Sequence, residues 1–406
     1  MNKIKTTGVS GVLKRYGAPM VISGALLSCN GPKEAPGLSV EVSNDLGFKR
    51  TEVVAIPVSE LNVPEGTDRK NLRLRKDGEE TNLRTQWIDY DQDGTADEWL
   101  FQADVPANGT ARYTVVTDSV NPEPESDVIA YSRFVPERTD DYTWENDKVA
   151  FRVYGPTGQK EALEGVVGST LSSGVDLWLK RTDRSVIDRW YAEHVKAPGY
   201  YHIDHGEGYD PYHVGDSRGT GGTGLWENDS LYVSENYISH NTIADGPLRT
   251  VFELKYAAWS DYDIEETKRV SLDLGSNFSR FDVSLSAAGD IPNYAVGITL
   301  HKNEGEHRIN EEEGWFRYWE TIDDAKVGEG IVMDPEVIDS AFARQSDVPD
   351  QSNLIVLTKP GDKATFYAGF AWEKSGQVSA VADWDAMLQR QAEIIANPLE
   401  VNVTVK

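Results

Sequence analysis

Apolar and polar residues alternate along the first part of the chain that follows residue 37. Residues 38–42 and 111–115 carry apolar side chains at every second position, so that each run presents one apolar face as a strand. Turn signals such as Asp77-Gly78 separate the runs, and no helical periodicity interrupts them. The pattern predicts a small N-terminal β-sandwich over residues 38–122.

The alternation continues in longer runs after the turn-rich segment Asn121-Pro122-Glu123-Pro124-Glu125. Runs of this kind begin near Val149, Val270, Phe281 and Phe366. Residues 354–357 are uninterrupted apolar residues, which is typical of a strand buried on both faces. The sequence therefore predicts an all-β chain, in which residues 123–406 form a large antiparallel double-sheet domain, supersandwich-like and with few helices.

One helical pattern stands out near the C-terminus. Trp384, Leu388 and Ile395 are spaced to share one helix face, Asp383 is the expected N-cap, and Asn397-Pro398 is a stop signal. We therefore expect a single amphipathic helix at this place.

The first 37 residues resemble an export signal. Basic residues precede a short apolar run at 20–27, which is too short to span a bilayer. Leu26-Leu27-Ser28-Cys29 follows the pattern of a bacterial lipobox, and Cys29 is the only cysteine in the chain. Residues 1–37 are thus predicted to be a lipoprotein signal and tether, which places the protein in the outer membrane, facing the periplasm or the cell surface. The alternative is an ordinary signal peptide with an incidental cysteine.

Charge narrows the range of partners. The 406 residues include 40 basic and 67 acidic side chains, a net charge of −27. Such a surface repels nucleic acid and anionic membranes, so nucleic acid is excluded as a partner and membrane contact is expected only through the N-terminal lipid anchor. An anionic substrate would need a locally basic site.

An acidic loop lies inside the predicted N-terminal sandwich. Asp89, Asp91, Asp93 and Asp97 surround Gly94 with the spacing of the first half of a calcium loop. The bidentate acid expected at the twelfth position is missing, since Leu100 occupies it. A structural calcium site and an acidic hairpin without metal are both compatible with this pattern.

The densest collection of proton-handling side chains runs from Trp190 to Trp226. This stretch holds four of the seven histidines and five tyrosines. Gly206 and Gly208 favour an irregular loop, in which the histidines could converge. Two uses follow: acid–base catalysis, or a metal site of His202, Asp204 and His205.

Basic residues concentrate between residues 133 and 218 of this acidic chain. A basic pocket with His and Tyr suits β-elimination on a uronic acid, because a cation beside the sugar carboxylate stabilises the charge that develops when the C5 proton is removed. In this interpretation His202 or His205 is the base, Tyr201 or Tyr209 the proton donor, and Arg218 the carboxylate clamp. Aromatic and basic side chains are candidates for substrate binding: Arg152, Trp144, Lys148, Tyr212 and Trp226. Elimination of this kind requires no cofactor.

Other enzyme classes lack their sequence signatures here. The chain has no phosphate-binding loop, no dinucleotide fingerprint between a strand and a helix, and no Gly-x-Ser-x-Gly motif.

Two long motifs carry a family resemblance. The segments 138–156 (RTDDYTWENDKVAFRVYGP) and 201–222 (YHIDHGEGYDPYHVGDSRGTGG) resemble the ulvan oligosaccharide dehydratase family of marine Bacteroidetes, long catalogued as a domain of unknown function. The resemblance implies removal of water from a non-reducing-end uronic acid linked to sulfated rhamnose, which gives a 4,5-unsaturated uronate. It assigns no catalytic residues, and the expected partner is this anionic oligosaccharide.

Two further hypotheses remain open at this point. A polysaccharide lyase uses the same elimination but with a sugar as the leaving group, and a glycan-binding surface lipoprotein would have no turnover.

Overall fold

The computed structural model of the protein describes residues 33–61 and 68–405. The lipobox residue Cys29 lies outside the described residues, so export and lipidation stay predictions. Among the described residues no helix is long and apolar enough to cross a membrane.

Strands dominate the described chain, as predicted. The N-terminal strands are β1 Lys33–Asn44, β2 Arg50–Pro57, β3 Leu72–Lys76, β4 Thr85–Ile88, β5 Glu98–Val105 and β6 Gly109–Thr117. The later strands are β7 Tyr131–Val135, β8 Asp141–Glu145, β9 Ala150–Val153, β10 Asp176–Lys180, β11 Gly208–Tyr209, β12 Thr220–Glu227, β13 Ser230–Tyr232, β14 Ser239–Asp245, β15 Arg249–Trp259, β16 Ile264–Asp273, β17 Phe278–Ser286, β18 Ala295–Thr299, β19 Glu306–Asn310, β20 Trp315–Ile322, β21 Ala325–Val332, β22 Ile338–Arg344, β23 Asn353–Thr358, β24 Lys363–Trp372 and β25 Glu400–Val405. The α-helices are α1 Pro156–Leu163, α2 Ile187–Lys196 and α3 Val381–Ala396.

The N-terminal sandwich consists of two small sheets with strand orders β25-β1-β6-β3 and β2-β5-β4. Their inner faces share one apolar core that includes Val40, Trp99, Phe101 and Tyr113. The last strand of the chain completes this sandwich, because β25 pairs with β1 in antiparallel register. That strand therefore lies outside the domain predicted for residues 123–406, and β1 begins within the segment predicted as a tether. Alternation identifies a strand but not the strand that it pairs with, so the sequence pattern could not show that β25 joins the N-terminal sandwich.

The large domain packs an eight-stranded sheet against two five-stranded sheets. The large sheet has the order β14-β15-β16-β17-β24-β21-β20-β19, and the smaller ones have the orders β13-β12-β18-β23-β22 and β11-β10-β9-β8-β7. Side chains from all three meet in one core, for example Phe151, Val296 and Phe366. The all-β double-sheet prediction is confirmed. The apolar run at 354–357 forms part of β23 and is buried on both faces.

Helix α3 lies where the sequence predicts it, but its cap differs. Ala380 is the N-cap, and Asp383 stands at the third helical position, where its carboxylate accepts the backbone N–H groups of Ser379 and Ala380 at 2.8 and 3.0 Å. Glycines of β21 let the helix dock closely, since a Cβ atom at Gly328 would lie 2.5 Å from the Trp384 ring.

Helices α1 and α2 were not predicted. Helix α2 buries Ile187, Trp190 and Tyr191 against the β7–β11 sheet, with the Trp190 ring stacked 5.4 Å from Trp178. Its single apolar stripe is short, so the surrounding strand pattern conceals it. The helix matters for function because its last turn carries His194.

Candidate active site

A single arginine lies among three carboxylates at the centre of the β7–β11 sheet. The Nε atom of Arg152 donates to Asp176 at 2.8 Å, and another guanidinium nitrogen donates to Asp210 at 2.9 Å. The Asp141 carboxylate is 3.7 Å from the same guanidinium. All four side chains are buried. Strand register creates the cluster, because Asp176 of β10 stands opposite Arg152 of β9.

Burial is the largest influence on the pKa values of these three carboxyl groups. Burial raises the pKa of Asp141 to about 6, although Arg152 opposes the rise. Burial also raises the pKa of Asp176 and of Asp210, and for Asp210 the neighbouring charge of Asp176 adds to the effect. One guanidinium thus does not fully compensate three buried carboxylates, and the cluster retains protons toward neutral pH.

A second group of side chains lies against this buried cluster and includes the exposed His202. The Tyr201 ring stacks on His194 with a centroid distance of 4.2 Å and meets His202 edge to face at 4.6 Å. The two imidazole centroids are 6.4 Å apart. Tyr201 itself is buried, and its hydroxyl oxygen accepts from Arg138 at 3.2 Å. We call Arg138, His194, Tyr201 and His202 the histidine face.

The hydrogen bonds of the two histidines fix complementary tautomers. The Nδ1 atom of His194 accepts the backbone N–H of Gly199 at 3.1 Å, so its proton lies on Nε2. The Nδ1 atom of His202 lies 2.8 Å from the backbone carbonyl of Asp210, which can only accept, so its proton lies on Nδ1. The His202 side chain is 53% exposed. Its Nε2 is therefore a proton acceptor, whereas the Nε2–H of His194 is a donor, on rings whose centroids are 6.4 Å apart.

The pKa of His194 is lowered, first by burial and then by the charge of Arg138. His194 therefore stays neutral near pH 7 and retains the single proton assigned above.

Arg138 provides the positive charge of this face. Its guanidinium donates to the Tyr201 hydroxyl, to Thr139 Oγ1 at 3.1 Å and to the Gly168 carbonyl at 3.2 Å, all of which are uncharged. Among the described residues, no carboxylate oxygen lies within 4.0 Å of Arg138. Against the effect of burial, the charge of the buried Asp141 raises the pKa of Arg138, but no ion pair among the described residues occupies the guanidinium, so an anionic ligand can still bind to it.

The structure separates His205 and Tyr209 from the histidine face. The irregular loop expected from Gly206 and Gly208 is present, with both glycines at positive φ. His205 stacks on Tyr200 at 4.0 Å, and the Tyr209 hydroxyl donates to Asp323 at 2.7 Å. Burial and that hydrogen bond both raise the pKa of Tyr209.

The alternative metal site at His202, Asp204 and His205 has each of its ligands engaged elsewhere. The Asp204 carboxylate accepts the N–H of Gly206 at 2.8 Å and pairs with Arg181 at 2.8 Å. Among the described residues, the converging groups of potential metal ligands do not include this trio.

Arg218 lies inside the domain and not at its surface. Its guanidinium donates to Ser173 Oγ at 3.0 Å, to the Thr223 carbonyl at 3.1 Å and to the Asp216 carbonyl at 3.2 Å. Its stem packs on Gly297, where a Cβ atom would come within 2.5 Å of it. Burial lowers the pKa of Arg218 to about 10. This placement favours a structural role over that of a clamp for an external carboxylate.

Two of the predicted aromatic contacts are also internal. Trp144 is completely buried and donates to Ser279 Oγ at 2.8 Å. Tyr212 is buried, and its hydroxyl is 3.0 Å from Thr220 Oγ1.

The remaining predicted binding residues lie apart from the histidine face. Trp226 packs edge to face on Phe342 at 5.0 Å, with the guanidinium of Arg344 5.3 Å from its ring. Lys148 is half-exposed and pairs with Asp147 at 3.2 Å.

The acidic loop of the N-terminal sandwich brings three of its four predicted ligands together. Ligand oxygens of Asp89, Asp91 and Asp97 lie within 4.8 Å of one another, and a buried oxygen of Asp89 has no hydrogen-bond partner. Asp93 is not part of this trio, and its carboxylate accepts the N–H of Thr95 at 2.7 Å. Three converging carboxylates fit a calcium ion, which prefers oxygen ligands.

A groove of about 960 Å³ lies between the N-terminal sandwich, the outer face of the eight-stranded sheet and helix α3. It contains several arginines, but most are paired within it or at its edge. The pairs are Arg50–Glu52, Arg249–Asp273, Arg269–Glu253 and Arg280–Asp282. Arg390 also lines the groove, with its guanidinium 5.6 Å from the Phe48 ring, and the lining of the groove includes no histidine that could act as a base.

Sequence reasoning did not select Arg138 or His194 as site residues. Arg138 opens the first family motif, and His194 is one of the four histidines in the central stretch. Only the fold brings them to Tyr201, which is 63 residues from Arg138 in the chain.

A family model and a related protein both match nearly the whole chain. Residues 42–401 match the family model described as Domain of unknown function (DUF4861). The uncharacterized protein P7 of Formosa agariphila is 41% identical over 388 residues, covering 94% of this chain and 98% of that protein.

Two solved structures from Enterococcus faecalis are similar at a low level. A protein in Glycosyl Hydrolase Family 38 has a TM-score of 0.47 and 10% identity over 92% of this chain and 48% of that one. An alpha-mannosidase has a TM-score of 0.45 and 9% identity, over 92% of this chain and 47% of that one. The chain spans about half the length of both.

Proposed function

The chain belongs to the DUF4861 family, and we propose that it is an oligosaccharide dehydratase that eliminates water from a non-reducing-end uronic acid. The observation that carries this proposal is the geometry of His202. Its ring is oriented by Asp210, its side chain is 53% exposed, and it packs against Tyr201, whose hydroxyl accepts from Arg138.

The proposed chemistry begins with the proton at C5 of the sugar. His202 Nε2 takes this proton, and the electron pair forms the C4–C5 double bond as the C4–O bond breaks. The C4 hydroxyl leaves as hydroxide and takes from His202 the proton that came from C5, so that the C5 hydrogen and the C4 hydroxyl together make one water molecule. His202 returns to its neutral state at the end of the cycle, and no oxidant or reductant is consumed.

Arg138 has the role that the sequence assigned to Arg218. A uronate carboxylate placed against its guanidinium is neutralised, which makes the adjacent C5–H more acidic and stabilises the negative charge of the transition state. A fork of two parallel N–H donors matches a carboxylate in geometry as well as charge. The partly buried position of Arg138 strengthens the attraction relative to an exposed arginine.

His194 and Tyr201 complete the site in different ways. The neutral imidazole of His194 offers its Nε2–H to the leaving oxygen or to a sugar hydroxyl. Tyr201 is buried and holds Arg138 through its hydroxyl and both histidines through its ring. We therefore assign Tyr201 a positioning role and not that of the proton donor.

The substrate class comes from the sequence motifs. The two segments that resemble the ulvan dehydratases contain Arg138 at the start of one and Tyr201, His202 and Asp210 in the other. An ulvan-type oligosaccharide with a terminal glucuronic or iduronic acid next to sulfated rhamnose fits a site whose free charge is positive.

Product analysis tests the proposal. The protein is incubated with saturated uronate–rhamnose-sulfate oligosaccharides, ultraviolet absorbance of the conjugated double bond is followed, and products are analysed by mass spectrometry. A dehydratase gives rising absorbance and products lighter by one water at unchanged chain length. Shorter chains would instead identify a lyase, and neither change with any uronate-terminated substrate would refute the proposal.

A further inference from the structure

A second cluster of ionisable residues lies deep in the large domain, between the eight-stranded sheet and the turn that follows β18. Ligand atoms of His301, Glu320 and Glu329 all lie within 4.8 Å of one another. Glu320 of β20 and Glu329 of β21 are diagonal neighbours, because Tyr318 pairs with Glu329 and Glu320 pairs with Val327. Both glutamates therefore project from the same inner face of the sheet.

Glu329 is a buried acid whose charge no cation compensates among the described residues. It is 0% exposed, and its carboxyl group contacts the like-charged Glu320 but receives no N–H or hydroxyl donor among the described residues. Burial and the nearby Glu320 both raise the pKa of Glu329. Burying a carboxyl group is costly when no donor or cation compensates it, and a bound cation would account for this residue.

His301 is oriented as metal-binding histidines are. Its Nε2 atom lies 2.8 Å from the backbone carbonyl of His213, which places a proton on Nε2 and makes Nδ1 the ring atom available to a ligand. That Nδ1 atom lies only 2.5 Å from an oxygen of Glu320. Two lone-pair atoms at this distance repel unless a proton or a cation lies between them or next to them.

We propose that His301, Glu320 and Glu329 form a binding site for a divalent transition-metal ion such as zinc. The site provides one imidazole nitrogen and two carboxylates, a ligand set that zinc accepts and that calcium and magnesium, which prefer oxygen alone, do not. Three protein ligands leave a coordination position open, as in zinc sites that bind a water molecule.

The surroundings of the cluster agree with a built site. The Tyr212 ring lies edge to face against the His301 ring at 4.8 Å, and the Tyr318 hydroxyl donates to the Leu300 carbonyl at 2.9 Å. These contacts hold the turn that carries His301 against the sheet. Through Tyr212 and the carbonyl of His213, they also connect the three proposed ligands to the histidine-rich stretch from Trp190 to Trp226. The proposal does not depend on the proposed dehydratase activity.

Metal content and metal affinity test the site directly. The full-length protein is purified without chelator or affinity metal, and bound metal is measured by inductively coupled plasma mass spectrometry. Chelator-treated protein is then titrated with zinc, manganese and calcium by calorimetry. Zinc titration is repeated in excess calcium, which saturates any site in the Asp89 loop. We expect one zinc per chain, with an affinity that excess calcium does not change.

Isosteric variants identify the ligands. Glu329→Gln removes the charge with little change of shape and is expected to weaken zinc binding by about 100-fold or more, since changes even outside the direct ligands cost about 10- to 100-fold. His213→Ala is the matched control, because its exposed ring is removed while its backbone carbonyl remains in contact with His301. This control is expected to bind zinc as the wild type does.

Each possible result either supports or overturns the proposed zinc site. Absence of zinc binding by the wild-type protein, a preference for calcium, or undiminished zinc binding by Glu329→Gln would each overturn the proposal. Circular dichroism confirms that each variant is folded, and if Glu329→Gln does not fold, Glu320→Gln replaces it under the same criteria. Since the readouts are binding and metal content, a failure here leaves the dehydratase proposal untouched, and the reverse is also true.

Discussion

The imidazole Nδ1 atom of His202 lies 2.8 Å from the backbone carbonyl oxygen of Asp210 and 3.6 Å from an oxygen of the Asp210 carboxylate. The same carboxylate is bound to Arg152 inside the domain. A solvent-facing histidine is therefore oriented by a residue of the buried ion cluster. This link makes the surface chemistry dependent on the interior of the domain, and the first three predictions examine parts of it.

Removal of the His202 imidazole is expected to lower kcat by about 100- to 10,000-fold, because general-base catalysis contributes roughly that much. The side chain is exposed, so His202→Ala should unfold at nearly the same temperature as the wild type. Kinetics of double-bond formation measure the effect. His307→Ala, which removes another exposed histidine, is the control. If His205→Ala causes the large loss and His202→Ala does not, the assignment of the base is wrong.

Loss of the Arg138 guanidinium is expected to reduce kcat/KM for a uronate-terminated substrate by about 10- to 100-fold, the equivalent of about 1.5–3 kcal/mol for a charge-assisted hydrogen bond. Arg138→Lys keeps the charge but loses the fork and should lie between the wild type and Arg138→Ala. Arg189→Ala is a suitable control, because that arginine is exposed and paired with Glu207. Equal activity of Arg138→Ala and Arg189→Ala would exclude Arg138 as the clamp.

Asp141 is expected to make the stability of the protein depend on pH between about 4 and 6. Burial raises the pKa of Asp141 from 3.8 to about 6, so the folded state binds this proton more tightly than the unfolded state does. Stability from this group is therefore largest below pH 4 and is lost as the pH rises to 6. The rise corresponds to about 3 kcal/mol.

Comparison of the wild type with Asp141→Asn isolates this effect. The free energy of unfolding is measured with urea across pH 4–7 for both proteins. The wild type should gain stability relative to the variant as the pH falls from 7 to 4. A constant difference across this range would contradict the raised pKa.

Calcium is expected to stabilise the N-terminal sandwich through the acidic loop. A ligand at about 100 times its Kd adds about 2.7 kcal/mol to stability. Asp91→Asn should remove this gain, because Asp91 belongs to the converging trio, whereas Asp93→Asn should retain most of it, because Asp93 lies outside the trio. Thermal unfolding with calcium and with chelator gives the measurement. Identical curves under both conditions would favour the acidic hairpin without metal.

Close packing of α3 on β21 is expected to make Gly328→Ala destabilising by about 1–3 kcal/mol, as for other overpacked positions. The added Cβ would lie 2.5 Å from the ring of Trp384. Gly289→Ala is the control, since a Cβ at Gly289 meets nothing within 4 Å. Urea denaturation of both variants should separate them clearly. Equal stability would mean that the helix shifts without cost.

The strand and helix predictions succeeded where one local period dominates a long segment. Alternation revealed strands such as β16 and β17 because they are buried mainly on one face, and the spacing of Trp384 and Leu388 revealed α3. Helix α2 was missed because ten residues carry only a short stripe. The partner of β25 was missed because alternation is the same whichever strand lies next to it.

The chain itself determined its fold class, its acidic charge, its acidic loop and the segment in which proton-handling residues concentrate. Those properties depend on composition and on residues close together in sequence. Which of them meet was decided only by tertiary structure. Strand register placed Arg152 beside Asp176, helix α2 brought His194 onto Tyr201, and burial made Arg218 an internal residue. His301, Glu320 and Glu329 likewise converge only because β20 and β21 pair under the turn after β18. Contacts between distant residues and the burial that shifts a pKa are properties of the packed chain, and no local pattern encodes them.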